Sequence, residues 1–127
     1  MRKSLIAAVL IAALLSPTVA GACTYRRWCG HKHSKAYNRR AIRAMCAKRH
    51  LSKRDTKRML WLAKRESGQR NLARNGSCKG LFQVMTKQPK WKWANPKWNT
   101  RRAIDYIRKR YGSVSAAVAH SKRYGWY

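Results

Sequence analysis

Glu66 is the one glutamate in a chain that carries 31 Lys and Arg against three acidic residues. It opens the run Glu66-Ser67-Gly68, and Gly80-Leu81-Phe82-Gln83 begins twelve residues after Gly68. A carboxylic acid held protonated in an apolar pocket is the group glycosidic bond cleavage needs, because it must give a proton to the leaving oxygen. The position of Glu66 suits that work. Met59, Leu62 and Ala63 form an apolar stripe at helical spacing, widened by Leu60 and Trp61, and Glu66 continues it. The side chain is expected to point inward from the last turn of a helix. Burial there disfavours the charged form, and so does the negative end of the helix dipole. Nearby Lys and Arg act in the opposite sense, so the sequence leaves the net direction open.

The other two carboxylates have plainer explanations. An inverting glycosidase needs a second carboxylate roughly 6.5–9.5 Å from the acid, and a retaining one needs it at roughly 5–5.5 Å. Asp55 precedes Glu66 by eleven residues on the same expected helix, about 16 Å along the axis. Its spacing from Ser52 gives it a helix-capping role. Asp105 falls among Lys and Arg, off the apolar stripe of a later helix.

The elements that must position Glu66 follow from periodicity and punctuation. Residues 23–35 lack apolar periodicity and read as an irregular lead-in. Ser34 caps a helix to about Arg49, with Tyr37, Ala41, Ala44, Met45 and Lys48 at helical spacing. Ser52 starts the Glu66 helix and Gly68 stops it. Residues 68–79 read as loop, and residues 80–85 as a short strand or buried turn. Pro89, Pro96, Trp91, Trp93 and Trp98 make residues 86–99 an irregular loop. A third helix is expected over 100–111, with Ala103, Ile104, Ile107 and Tyr111 inward, and a fourth from Ser115 to about Tyr124. The expected fold is one mainly helical domain with little strand.

The length of 127 residues fits one domain. Residues 1–22 read as a secretory signal peptide: Arg2 and Lys3, then an apolar run from Leu5 to Leu15, then Ala20-Gly21-Ala22. Export makes disulfides possible, and Cys23, Cys29, Cys46 and Cys78 allow three pairings. Cys23–Cys29 and Cys46–Cys78 is the favoured set. Lipid anchoring at Cys23 is disfavoured, because Ala20 stands where a larger aliphatic residue is usual and an odd cysteine would remain. Cys29-Gly30-His31-Lys32-His33 fits no common zinc spacing, so no metal is expected. The net charge of +28 calls for an anionic partner or medium. Because the charge is spread along the chain, it reads as a steering field rather than a base-reading site. Anionic cell-envelope polymers fit an exported protein better than specific nucleic acid, and a monomer is expected.

Beyond these single features, the order of the motifs carries a resemblance. Glu66-Ser67-Gly68, Ala73-Arg74-Asn75 and Gly80-Leu81-Phe82-Gln83 resemble the E-S-G…A-x-N…G-L-F-Q core of soluble lytic transglycosylases and goose-type lysozymes. Pro96, Ala103, Tyr106-Ile107 and Arg110-Tyr111-Gly112 continue it in register. Ala116-Ala117, Ala119 and Gly125-Trp126-Tyr127 are similar to short secreted and phage-encoded members. The resemblance covers about residues 56–127. It implies a lysozyme-like α+β core over residues 52–127, preceded by a cysteine-bearing segment and first helix over 23–51. The sequence departs from the family pattern at Gln69, Asn71, Val118 and Ser121, which leaves the groove lining open.

By this resemblance Glu66 is the catalytic acid and Gln83 lies beside it in the groove. Ser67, Tyr106 and Trp126 are expected to contact substrate. For Tyr106 a core role weighs evenly against this, and Trp126 and Tyr127 fit either a core plug or a sugar platform. A lone carboxylate suits the transglycosylase route of that family, in which the sugar's own 6-hydroxyl replaces water and no cofactor is needed. The implied reaction is cleavage of the β-1,4 bond between N-acetylmuramic acid and N-acetylglucosamine in peptidoglycan, leaving a 1,6-anhydromuramic end. Three alternatives stand beside it. These are lysozyme-type hydrolysis of the same bond, a cationic binder of nucleic acid or envelope polyanions without chemistry, and membrane disruption by charge. Trp91-Lys92-Trp93 would suit stacking in a binder.

Overall fold

The structure is a computed structural model that describes residues 30–127. The expected signal peptide, the lipid-anchor question at Cys23 and the Cys23–Cys29 pair lie outside the described residues. The elements run α1 (Lys35–Lys48), α2 (Lys53–Ser67), β1 (Arg74–Asn75), β2 (Cys78–Lys79), β3 (Val84–Met85), α3 (Lys90–Trp93), α4 (Pro96–Tyr111) and α5 (Val114–Tyr124). The domain is mainly helical with little strand, as the periodicity implied.

Local chemistry sets the helix ends. Ser34 and Ser52 cap α1 and α2, each side chain accepting from the backbone N–H three residues on, in Tyr37 and Asp55. Asp55 completes only half of a capping box, since its carboxylate is held by Arg58 at 2.8 Å. Asn95 caps α4 through Lys97 and Trp98, with Pro96 at its first position. That cap starts α4 four residues before the expected boundary at 100. Ser113 likewise starts α5 ahead of the expected Ser115.

One cluster holds the helices together. Ile42, Met45 and Cys46 from α1 meet Met59, Leu62 and Ala63 from α2, Leu81 and Phe82 from the connecting loop, Ala103, Ile104 and Ile107 from α4, and Val114, Ala117 and Val118 from α5. Fully burying each large aliphatic side chain contributes about 1.5–3 kcal/mol. The α1 helix packs on both α4 and α2, so it is part of the same core.

Three expectations need correction. The inner face of α1 is Asn38, Ala41, Ile42, Met45 and Cys46; Tyr37, Ala44 and Lys48 face solvent. Asn38 goes inward and its amide nitrogen donates to the Gln69 carbonyl at 2.9 Å, while its amide oxygen is buried without a partner. The second correction concerns the region after α2. Residues 74–85 hold a three-stranded antiparallel sheet in the order β1-β2-β3, with Asn75 opposite Cys78 and Cys78 opposite Met85. The tryptophan-bearing stretch also contains the short helix α3.

The third correction is the Cys46–Cys78 pair: both are free thiols. Cys46 is sealed beside Thr56, near the start of α2. Cys78 lies near Tyr127, and Tyr127 also neighbours Glu66 at the far end of that helix. Ten residues of helix separate Thr56 from Glu66, about 15 Å, whereas a disulfide needs Cα atoms within about 7 Å.

Candidate active site

Gly68 sets the geometry. It closes α2 in the left-handed region at φ +60°, and its N–H and that of Gln69 return to the Lys64 and Ala63 carbonyls. The chain then turns away one residue after Ser67, which leaves Glu66 at the mouth of an open cleft of about 1310 Å³. Glu66, Gln83, Tyr106, Trp126 and Tyr127 all line this cleft. Asp55 and Asp105 do not. Asp55 pairs with Arg58 and Asp105 with Arg49. Glu66 is thus the only carboxylate side chain on the cleft wall.

Glu66 is half-buried. Burial holds its carboxyl above the usual range, and the opposing pull of the Arg65 guanidinium is the smaller effect. This resolves the direction that the sequence left open. Tyr127 sits in the same pocket. Its phenol donates to the Phe82 carbonyl at 2.8 Å and is pushed well above its ordinary pKa, first by burial and then by the nearby Glu66 carboxylate. Tyr106 packs edge-on to Tyr127, with ring centroids 6.1 Å apart. Tyr106 and Trp126 remain 40% and 50% exposed, so both present aromatic surface to a ligand. In the tail, Trp126 stays exposed on the cleft wall whereas Tyr127 is packed into the pocket.

Ser67 is not brought to the cleft. It is 3% exposed, and its hydroxyl bridges the Ala63 and Leu81 carbonyls at 3.0 and 2.8 Å while accepting from the Arg70 N–H. It latches the end of α2 to the Gly80–Gln83 segment and so positions Glu66 from behind.

The Gly80–Gln83 segment is pinned by a residue that sequence reasoning missed. Asn99 accepts from the Phe82 N–H at 2.9 Å and donates to the Lys79 and Trp93 carbonyls at 2.9 and 3.1 Å. A signal existed: Asn99 lies four residues before Ala103 and eight before Ile107, a polar residue on the inward stripe of α4. Gln83 returns its amide to the Gly80 carbonyl at 2.9 Å. Gln69 and Gln83 both hold positive φ, +61° and +49°. Such backbone costs about 1–3 kcal/mol per residue and clusters at functional sites.

The departures from the family pattern divide by location. Gln69 and Asn71 line the cleft, whereas Val118 and Ser121 are buried in α5 away from it. Asn71 accepts from the His33 N–H at 3.0 Å and donates to the His31 and Ala94 carbonyls at 2.7 and 3.0 Å. It holds the segment that places Lys32 and His33 along one wall of the cleft.

No family model, curated protein or solved structure matches the chain. The chemistry of the cleft therefore rests on its own geometry. Among the described residues, that geometry provides one carboxyl of raised pKa, exposed aromatic rings on the same wall, and six basic side chains: Lys32, Lys35, Arg70, Arg74, Arg102 and Arg110. Among the described residues, no group of three or more His, Cys, Asp or Glu side chains is placed to hold a metal ion.

Proposed function

We propose that the cleft takes a glycan strand of peptidoglycan and that Glu66 cleaves the β-1,4 bond between N-acetylmuramic acid and N-acetylglucosamine. Glu66 gives its proton to the glycosidic oxygen as the bond from that oxygen to the muramic C1 breaks. The resulting carboxylate then takes the proton of the muramic 6-hydroxyl, whose oxygen closes on C1. The products are a free 4-hydroxyl and a 1,6-anhydromuramic end, and Glu66 regains its proton. The observation that carries this reading is that Glu66 stands as the lone carboxylate side chain on the wall, its pKa raised by burial. An enzyme using a paired carboxylate needs a second one close by; a route through the sugar's own hydroxyl does not. Resemblance to lytic transglycosylases in the spacing of Glu66, Gly80–Gln83 and Arg110–Gly112 points the same way.

The surface charge suits a monomer exported from the cell and retained on anionic envelope polymers. That charge also favours a second reading, a cationic binder without chemistry. One experiment separates them. Wild type and Glu66→Gln are incubated with purified peptidoglycan, and soluble products are weighed by mass spectrometry. The enzyme reading expects anhydromuramic ends from wild type and none from the variant. Equal clearing by both proteins refutes it, and purely reducing ends reassign the protein as a hydrolase.

A further inference from the structure

The cleft wall contributed by α4 has an order of its own. Arg102, Tyr106 and Arg110 recur every fourth residue and all line the cleft, so they form one ridge along the helix. Trp98 extends this ridge at one end, with the Arg102 guanidinium 5.9 Å from its ring centre. Trp126 closes the other end, with the Arg110 guanidinium 5.3 Å from its ring and 6.0 Å from that of Tyr106. The ridge therefore alternates aromatic ring and guanidinium, with Trp98 lying beyond the cleft lining, and Arg102 and Arg110 stand about 12 Å apart along the axis.

No side-chain carboxylate of the protein serves these two guanidiniums. Asp55 is held by Arg58 and Asp105 by Arg49, and Arg65 is the cation whose charge favours ionisation of Glu66. Guanidinium planes grip carboxylates with two parallel hydrogen bonds, while aromatic rings between them offer a face to a sugar. We propose that Arg102 and Arg110 form a specificity ladder that binds carboxylates hung from every second sugar of a glycan strand, with Tyr106 against the intervening sugar. This rests on the glycan reading of the cleft. The carboxylate has two possible sources, the lactyl group of bare muramic acid and the stem peptide attached to it.

The test measures equilibrium binding with Glu66→Gln, which holds substrate without cutting it. Three ligands of equal sugar number are compared: peptide-bearing strands, strands stripped of peptide, and neutral N-acetylglucosamine oligomers. Carboxylate-bearing strands are expected to bind roughly tenfold or more tighter than the neutral oligomer. In the peptide-bearing strand the lactyl carboxyl is tied up in the amide to the stem. Preference for the stripped strand alone therefore assigns the lactyl carboxylate, preference for the peptide-bearing strand alone assigns the stem, and preference for both shows that the guanidiniums take either; each supports the ladder. Adding Arg102→Gln and Arg110→Gln must bring the ratio severalfold closer to one. Lys53→Gln with Lys57→Gln, an exposed pair outside the cleft that removes the same charge, must not. If the ratio is already near one, or if both pairs lower it equally, the ladder is wrong. Cleavage of peptide-bearing strands by wild type is scored separately. Binding preference without cleavage refutes the enzyme reading and leaves the ladder standing.

Discussion

Asn99 fills the space that a side chain on Gly80 would need. A Cβ built on Gly80 lies 2.1 Å from the Asn99 amide nitrogen and 2.9 Å from the Trp93 carbonyl oxygen, and Gly80 itself holds φ +84°. Gly80→Ala therefore combines left-handed strain with a clash against a buried, fully engaged amide. The expected cost is about 2–4 kcal/mol, from strain and overpacking together. Urea unfolding of Gly80→Ala beside wild type measures it. A loss under about 0.5 kcal/mol, the level of ordinary surface changes, would show that the loop is not pinned as described.

Glu66 links stability and activity to pH in the same direction. Its pKa in the folded protein lies above the unfolded value because burial disfavours the carboxylate. The folded state thus binds the proton more tightly. Stability is undiminished below the unfolded value, about pH 4.3, and declines as pH rises through the window up to the folded value. Glu66→Gln carries no such decline. Its melting temperature relative to wild type should rise between acid and neutral pH while peptidoglycan cleavage is abolished. Thermal unfolding of both proteins across that range gives the comparison, and parallel curves would mean Glu66 is not desolvated. Wild-type cleavage should also fall as pH rises through the folded value, since the reaction starts from the protonated acid.

What a single element encodes was legible in the sequence. The caps at Ser34 and Ser52 and the stop at Gly68 each depend on one helix and its own punctuation, whereas Glu66, expected to point inward, is half-buried on the wall of the cleft. What depends on two elements was not legible. The face of α1 turns Asn38 inward, where Gln69, thirty-one residues away, offers an acceptor. Ser67 follows Glu66 directly, yet a helix turns about 100° per residue, so one side chain meets the cleft and the other the Leu81 carbonyl. Cysteine pairing failed for the same reason: count and spacing say nothing about which end of α2 each thiol reaches.

The bond from Tyr127 to the Phe82 carbonyl joins the last residue of the sequence to the segment beside Glu66. Tyr127→Phe keeps the ring and removes only that donor. It leaves the carbonyl without this partner, at a cost of about 1–2 kcal/mol. Peptidoglycan turnover should fall with it, because the Gly80–Gln83 segment loses one of its ties while Glu66 stays in place. Denaturant unfolding and initial rates on cell walls read the two effects. Unchanged values in both would make Tyr127 a passive cover of the pocket.

The two free thiols should differ sharply in reactivity. Thiolate is the reactive form, and the Cys46 thiol is fully buried with its pKa pushed up to about 11, chiefly by burial, against the smaller effect of a hydrogen bond with Thr56. Cys78 lies on the cleft wall and is partly exposed. In a Cys23→Ser, Cys29→Ser variant, an alkylating reagent near pH 8 should add one mass to the native protein, at Cys78, and a second only after unfolding. Peptide mapping of the adducts locates them. Prior occupation of the cleft by a glycan oligomer should slow the first addition, because Cys78 shares that wall with Glu66 and Gln83. A protein that takes up no label until it is reduced would contain the Cys46–Cys78 bond after all, and would require the end of α1 and the β2 strand to move together.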